Sequence, residues 1–228
     1  MKLFMFVTML SFTEENYLKA LLKLTSQNAE KSEAGTNEMA AYLGVKPATA
    51  TDMLKKLKEK DLVSYQKYGK ILLTETGKSH GIAILRKHRL WETFLYEKLD
   101  FSWDEVHEVA EQLEHIQSTK LVDKLEEFLN FPEFDPHGDP IPKANGEMPD
   151  LPKTLLSEMK EGDYCRVIAV KDTSTPFLQY LEKLKITIGS KISVLEVIDF
   201  DGSMNISIEE TVPRNVSMKF ADSLFVSR

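Results

Sequence analysis

Cysteine is nearly absent from this sequence, and long apolar runs are missing altogether. Cys165 is the single cysteine among 228 residues, which excludes an intramolecular disulfide and fits a protein kept in the reducing cytoplasm. We interpret Cys165 as a small buried hydrophobic residue rather than a metal ligand. No stretch approaches the roughly 20 consecutive apolar residues of a transmembrane helix, so we expect no membrane association.

Positive charge is also in short supply, and it is unevenly distributed. The formal net charge is −7, with 29 Lys and Arg against 36 Asp and Glu. Residues 1–90 carry 15 Lys and Arg against 9 Asp and Glu, and the rest of the chain carries 14 against 27. A basic first part and an acidic remainder indicate that only the first part meets a polyanion such as DNA.

A helix-turn-helix pattern lies in this basic part. The spacing of apolar residues predicts helices over 14–24, with Thr13 as N-cap, over 36–43 and over 47–60. Gly44 falls in the turn before the last of these helices, and Pro47 suits a first helical position. Two apolar stretches, 62–67 and 70–74, then predict a hairpin that would form a wing.

Small residues at the start of the last helix would let it approach the floor of a major groove, and neighbouring lysines can meet phosphates. The candidate DNA-binding residues are Lys46, Pro47, Ala48, Thr49, Thr51, Lys55, Lys67 and Lys70. Two alternatives remain: an ordinary helix pair with solvated lysines, or a winged domain that binds only proteins.

Histidines and carboxylates recur at helical spacing in the middle of the chain. If 107–115 is a helix, a rotation of about 100° per residue places four of its polar side chains on one face. An i, i+4 pair lies upstream, and packing of the two helices would make all six side chains converge. The candidate ligands are His88, Glu92, His107, Glu111, Glu114 and His115. Without a thiol, this set suits Mn(II) or Fe(II), for one or two ions. The alternative is a solvated acidic face.

The rest of the chain supplies further helices and a small β domain. Apolar spacing predicts helices over 76–99, 102–118 and 120–130, whose apolar faces favour a dimer. Residues 131–152, rich in Pro, Gly and Asp, predict a linker with His137 on its surface. Strands over 164–170, 191–197, 204–208 and 224–226, with a helix over 176–184, predict a barrel-like domain.

We therefore predict a mainly α chain with α+β parts. The predicted segments are a winged helix-turn-helix domain (1–75), an all-helical metal-binding and dimerisation domain (76–131), a linker (132–152) and a C-terminal β-barrel (153–228).

Four segments make the chain resemble the diphtheria-toxin-repressor family of metal-dependent transcriptional regulators: 15–19 (ENYLK), 86–92 (RKHRLWE), 107–115 (HEVAEQLEH) and 136–142 (PHGDPIP). The resemblance implies a homodimer, a metal-binding middle domain and an SH3-like, FeoA-like third domain, and its ligand positions match the six candidates above. The carboxylate at Glu111 resembles the manganese-type branch, because the iron-type branch has a cysteine there. Family ligands on the N-terminal helix correspond to Asn16 and to Lys19, and a protonated lysine cannot ligate. Asn16 and Asp172 are further candidate ligands.

The resulting hypothesis is a cytoplasmic repressor of metal-uptake genes that is activated by Mn(II) or Fe(II). It would bind a palindromic operator in double-stranded DNA as a homodimer, and Zn(II) or Co(II) would also bind in vitro. The alternatives are a metalloenzyme with a His/Glu di-metal site and a winged interaction module. A metallopeptidase motif needs a histidine where Glu111 stands, which argues against one enzyme class.

Overall fold

The computed structural model describes residues 9–26, 33–65, 70–149 and 152–228. Two compact units are present. The first comprises the described residues up to Lys87 together with Glu114–Gln117 and Pro142–Glu147. The second comprises His88–Leu113, Ser118–Ile141 and Met148–Arg228. The predicted division into four segments stays a prediction.

The first unit is a small helical bundle with a narrow sheet. Its elements are α1 (Phe12–Ser26), β1 (Ala34–Gly35), α2 (Thr36–Tyr42), α3 (Pro47–Glu59), β2 (Val63–Tyr65) and β3 (Lys70–Leu73). The antiparallel strands lie in the order β1–β3–β2. The predicted helix-turn-helix and wing strands are confirmed, while the tip of the wing, 66–69, lies outside the described residues.

Two local features of this unit differ from the prediction. The N-cap of α1 is Ser11 rather than Thr13, because the Glu14 amide donates to Ser11 Oγ and the Ser11 amide donates to the Glu14 carboxylate (2.8 Å). Strand β1 was not predicted, since two residues are too few to show any periodicity.

Apolar residues from α1, α3 and β3 fill the core of the first unit. Leu18, Leu21, Leu54, Leu57 and Ile71 are all completely buried. This burial leaves the opposite face of α3 to solvent.

Helix α4 (Glu75–Leu99) begins directly after β3 and continues into the second unit. Gly77 in its first turn packs against the chain before β2. A β-carbon there would lie 1.9 Å from the Leu62 carbonyl oxygen, so this position requires glycine.

The second unit combines the rest of α4 with four shorter helices and a larger sheet. Its further elements are α5 (Val106–Leu113), α6 (Thr119–Phe128), β4 (Thr154–Leu155), β5 (Tyr164–Val170), α7 (Thr175–Leu184), β6 (Lys191–Val197), β7 (Met204–Ile208), β8 (Arg214–Val216), α8 (Met218–Ala221) and β9 (Leu224–Ser227). The sheet is antiparallel throughout, in the order β4–β9–β5–β6–β7–β8. The predicted C-terminal β domain is confirmed, and β4, β8 and α8 are additions to it.

The core of this sheet also holds Trp103, which is 3% exposed. Trp103 lies three residues before α5, so the start of that helix is anchored in the β core. Within the described residues, none of the helices combines the length and apolar character needed to cross a bilayer.

The predicted linker is partly packed into the second unit. Asp135 and His137 are 6% and 3% exposed, so the prediction that His137 lies on the surface is wrong. Gly138, at φ +82°, approaches β5 so closely that a β-carbon would lie 1.9 Å from the Ile168 carbonyl oxygen. Glycine is required here on both grounds, and the close approach fixes the segment to the sheet.

Candidate metal centre and nucleic-acid interface

Three predicted ligands converge in the second unit, and we call them the triad: His88, Glu92 and His107. Helix α4 presents His88 and Glu92 one turn apart, and α5 presents His107. His88 Nε2 lies 3.0 Å from Glu92 Oε1 and 3.1 Å from His107 Nδ1, and the last two atoms are 3.1 Å apart. Three donor atoms therefore form a nearly equilateral triangle.

The triad fits a divalent metal ion. Donor atoms bound to one ion at about 2.1 Å lie about 3.0 Å apart when they form a right angle at the ion. His88 and Glu92 are buried, whereas the His107 side chain is 46% exposed, which leaves one side open to solvent. Two imidazoles and a carboxylate are a donor set for borderline cations such as Mn(II), Fe(II) and Zn(II).

The electrostatics of the triad centre on Glu92. Burial raises the pKa of its carboxyl, but the charge of His88 and the hydrogen bonds from His107 and His88 outweigh burial. The pKa of Glu92 therefore lies well below its usual range, and the group is an anion at neutral pH. A carboxylate anion in contact with two imidazoles can bind a cation together with them.

Glu111 lies beside the triad on α5. His107 Nε2 and Glu111 Oε1 are 3.5 Å apart, and the Glu111 side chain is 36% exposed. The predicted helical face is therefore correct for His107 and Glu111, and Glu111 stands on the open side.

A buried hydrogen-bond network that includes His137 and Asp135 lies next to Glu92. His137 Nδ1 lies 4.0 Å from Glu92 Oε1, while its Nε2 is 3.0 Å from the Trp103 carbonyl oxygen. Asp135 accepts hydrogen bonds from the backbone amides of His137 (2.9 Å) and Asp139 (3.0 Å). The His137 carbonyl in turn accepts from the Val170 amide at 2.9 Å. The network connects the triad to strand β5.

Arg89 supplies positive charge to this network. Its guanidinium lies 3.5 Å from Asp135 and 3.3 Å from Asp139, and it also donates to the Pro140 carbonyl. Burial, together with the charges of Glu92 and Asp139, raises the pKa of Asp135 to about 7, and Arg89 opposes that rise. These residues were not predicted, although an aspartate two residues before His137 is a common turn signal.

The two remaining predicted ligands, Glu114 and His115, belong to the first unit. Helix α5 ends at Leu113, so Glu114 and His115 lie in the turn that follows it. Glu114 Oε2 accepts from Lys19 Nζ at 2.7 Å, and His115 Nδ1 lies 2.5 Å from Glu15 Oε2. Their assignment as ligands stays a prediction.

The two additional candidates have different surroundings. The carboxamide oxygen of Asn16 is buried, and among the described residues it has no hydrogen-bond partner. Asp172 accepts a hydrogen bond from the Ser174 amide (2.9 Å) just before α7, and within the described part of the chain it joins no group of three metal-binding side chains. Both assignments stay predictions.

The predicted DNA-binding residues lie along the exposed side of α3 and on the wing. Exposed positions are Lys46, Pro47, Ala48, Thr49, Lys55 and Lys70, whereas Thr51 is half-buried. The Thr51 hydroxyl donates to the Pro47 carbonyl (2.9 Å), and Lys70 pairs with Glu33. Lys67 lies outside the described residues. An exposed helix start with small side chains and flanking lysines is a surface that fits a major groove.

Known proteins match this chain along most of its length. Residues 9–71 match the family described as "Iron dependent repressor, N-terminal DNA binding domain". Residues 74–143 match "Iron dependent repressor, metal binding and dimerisation domain", and residues 154–228 match "FeoA domain". These descriptions together are those of a family of DNA-binding metalloregulators.

Two solved structures and one curated protein are also similar to this chain. A solved structure titled "Manganese-dependent transcriptional repressor complex with manganese" is 34% identical, with a TM-score of 0.82 over 93% of this chain and 98% of that one. A structure of ScaR with bound Zn²⁺ is 30% identical, with a TM-score of 0.75 over 94% and 99% of the two chains. The iron-dependent repressor IdeR of Mycobacterium bovis is 31% identical over 57% of this chain and 55% of its own length. The chain thus spans about half of that curated relative.

This chain belongs to the iron-dependent, or diphtheria-toxin, repressor family, as its sequence motifs predicted. The family consists of metal-dependent transcriptional repressors and not of enzymes. The predicted winged helix-turn-helix, helical dimerisation domain and SH3-like FeoA domain are confirmed.

Proposed function

We propose that this protein represses transcription by binding an operator in double-stranded DNA as a homodimer when Mn(II) or Fe(II) is available. The observation that supports this most directly is the triad, three donor atoms about 3 Å apart in a chain that also carries an exposed recognition helix. A protein that acts on DNA in this way works in the cytoplasm, and metal-uptake genes are the natural targets.

His88, Glu92 and His107 would hold the metal, with Glu111 as a further oxygen donor on the open side. The bound ion would supply positive charge that joins α4 to α5 and neutralises the Glu92 carboxylate. Glu111 is a hard donor and favours Mn(II) over metals that prefer a thiolate. Zn(II) and Co(II) would also bind in vitro, because affinity rises toward the later metals.

The DNA contacts would come from α3. Its small first residues, Ala48 and Thr49, would approach base edges, while Lys46 and Lys55 would meet phosphates. A dimer would present two such helices to successive major grooves of a palindromic operator.

Exposed apolar side chains in the second unit support self-association. Leu99, Leu121, Phe128 and Phe131 are 50%, 41%, 60% and 64% exposed. A dimer interface would remove them from water, and the matched metal-binding domain is also described as a dimerisation domain.

The decisive experiment measures operator binding at buffered free Mn(II) for the wild type and for His107→Ala. We expect the variant to lose metal-dependent binding, because one of three converging donors is gone. His80→Ala is the matched control, since His80 lies on the same helix about two turns before His88. Equal metal dependence of wild type and His107→Ala would refute the site.

The recognition helix is tested separately. Thr49→Ala should reduce discrimination between operator and random DNA by about 1 kcal/mol, as expected for loss of a base contact. Lys55→Ala should weaken binding to both DNAs and lower the slope of the salt dependence by about 1. Unchanged binding by both variants would contradict the assignment of α3.

A further inference from the structure

A second buried cluster lies in the first unit and combines carboxylates and a histidine with a lysine. We call it the lysine cluster: Glu15, Lys19, Glu114 and His115. Their exposed fractions are 4%, 5%, 0% and 7%. Burying carboxylates at this depth is costly unless a cation compensates them. The identity of that cation decides what the cluster can do.

The contacts show that the chain supplies a cation of its own. Lys19 Nζ lies 2.7 Å from Glu114 Oε2, which is a charge-assisted hydrogen bond. His115 Nδ1 lies 2.5 Å from Glu15 Oε2, and its Nε2 lies 3.8 Å from Glu114 Oε1. Each carboxylate therefore faces a nitrogen of the protein.

Neighbouring groups complete the enclosure. Gln117 Nε2 donates to Glu15 Oε1 at 2.7 Å, and the ring of Phe12 stacks on His115 with centroids 4.4 Å apart. Lys87, also buried, donates to the Ile116 carbonyl at 3.3 Å. The charges of Glu15 and Glu114 also act on the buried Lys87 ammonium. Two lysines thus balance two carboxylates.

A divalent ion would conflict with this arrangement. An ion bound to Glu114 Oε2 at about 2.1 Å could lie no farther than about 4.8 Å from the Lys19 ammonium while the ion pair stays formed. Two like charges at that separation in a buried site repel strongly. A metal ion on that oxygen would have to displace the Lys19 ammonium, and Lys19 is only 5% exposed.

We propose that the Lys19 ammonium is the resident cation of the lysine cluster, so that Glu114 and His115 hold α1 without a metal ion. Between the two clusters of described residues, divalent metal then binds at the triad and not at the lysine cluster, a statement that rests on the proposed function. The contacts between α1 and residues 114–117 then do not depend on metal supply, whereas the triad responds to it.

The test is the metal stoichiometry of the full-length chain, stripped with a chelator and titrated with Mn(II) by calorimetry, with bound metal counted by mass spectrometry. We expect about one ion per wild-type chain and about two in Lys19→Glu, where a carboxylate replaces the cation beside two others. Lys19→Arg is the matched control, because it keeps the charge and should stay at the wild-type value. Circular dichroism checks that each variant is folded.

Two further variants separate this inference from the proposed function. Adding His107→Ala to Lys19→Glu should remove the triad's ion and leave the new one. If the wild type binds no metal, the proposed function fails but this inference does not. A gain of one ion in Lys19→Glu would still support the assignment of Lys19 as the resident cation. A second wild-type ion that disappears in Glu114→Gln or Asn16→Ala, or an unchanged stoichiometry in Lys19→Glu, would overturn the inference. If Glu114→Gln does not fold, Glu15→Gln takes its place.

Discussion

The triad and the lysine cluster are built from the same side chain types and differ in their countercharge. Both bury carboxylates against histidine, with donor atoms about 3 Å apart or closer. In the triad, Glu92 faces two imidazoles, a side chain type that binds metal through a ring nitrogen. In the lysine cluster, Glu114 faces an ammonium that is held in place. The side chain types alone therefore do not identify a metal site. The negative charge of buried carboxylates can be neutralised either by a metal ion or by a lysine ammonium, and the surrounding residues decide which.

The largest expected effect comes from removing the built-in cation. Lys19→Met should destabilise the protein by about 3–5 kcal/mol, since it leaves the Glu114 carboxylate buried without its charge partner. Urea unfolding of the metal-stripped protein measures this. Lys55→Met is the control, because its pair with Asp52 is exposed on both sides and should contribute less than about 1 kcal/mol. A loss in Lys19→Met no larger than in Lys55→Met would show that the lysine cluster does not stabilise the fold.

The next effect separates the two clusters by metal binding. Glu92→Gln should weaken Mn(II) binding at least about 100-fold, or about 2.7 kcal/mol, since loss of a direct ligand exceeds the usual outer-shell effect. Glu114→Gln should leave Mn(II) affinity unchanged and reduce stability instead. Calorimetry on both variants gives the comparison, and equal losses of affinity would mean that both clusters bind metal.

The pH dependence of stability should reveal the network behind the triad. The pKa of Asp135 is raised to about 7 in the folded chain, so its protonated form favours folding. Stability from this group is fully present below the unfolded pKa, near 4, and is lost as the pH rises toward 7. In metal-free protein the loss should be of the order of 1–3 kcal/mol, and Asp135→Asn should flatten it. If Asp135→Asn showed the same pH profile as the wild type, the pH dependence of stability would not come from Asp135.

The smallest effect concerns the outer partners of the two clusters. His137→Ala should weaken Mn(II) binding about 10-fold, because His137 stands behind Glu92 and connects it to Trp103. Gln117→Ala, the corresponding change beside Glu15, should cost about 1 kcal/mol of stability and leave Mn(II) binding as it was. If His137→Ala lowered only stability and Gln117→Ala lowered only Mn(II) affinity, the roles assigned to the two clusters would have to be exchanged.

Local chemistry made much of the fold predictable from the sequence. Pro47 and Gly44 marked the start of α3 and the turn before it, and the apolar spacing gave α1 to α4 with errors of a few residues. His88 and Glu92 could be paired because i, i+4 neighbours on a helix face one another whatever surrounds them. The motifs also indicated the family, and its two matching domain models confirm it.

Interactions between distant residues could not be predicted in the same way. Periodicity extended α5 through His115, but the helix ends at Leu113, where Glu114 and His115 turn toward α1. A helix ends where tertiary partners satisfy its last groups better than another turn would, and those partners lie about 100 residues away in the chain. His137 was misplaced for a related reason, since Pro and Gly indicate an irregular backbone but not whether it is buried.

The sequence by itself determined the kinds of groups this protein has: a helix with small first residues and flanking lysines, histidines and carboxylates at helical spacing, a small β domain, and a lysine at position 19. Only the tertiary structure decided how they combine, bringing His107 to Glu92 and Lys19 to Glu114. The physical reason is that helical spacing is a local property of the backbone. Which cation neutralises a buried carboxylate depends on charges that meet only after the chain has folded.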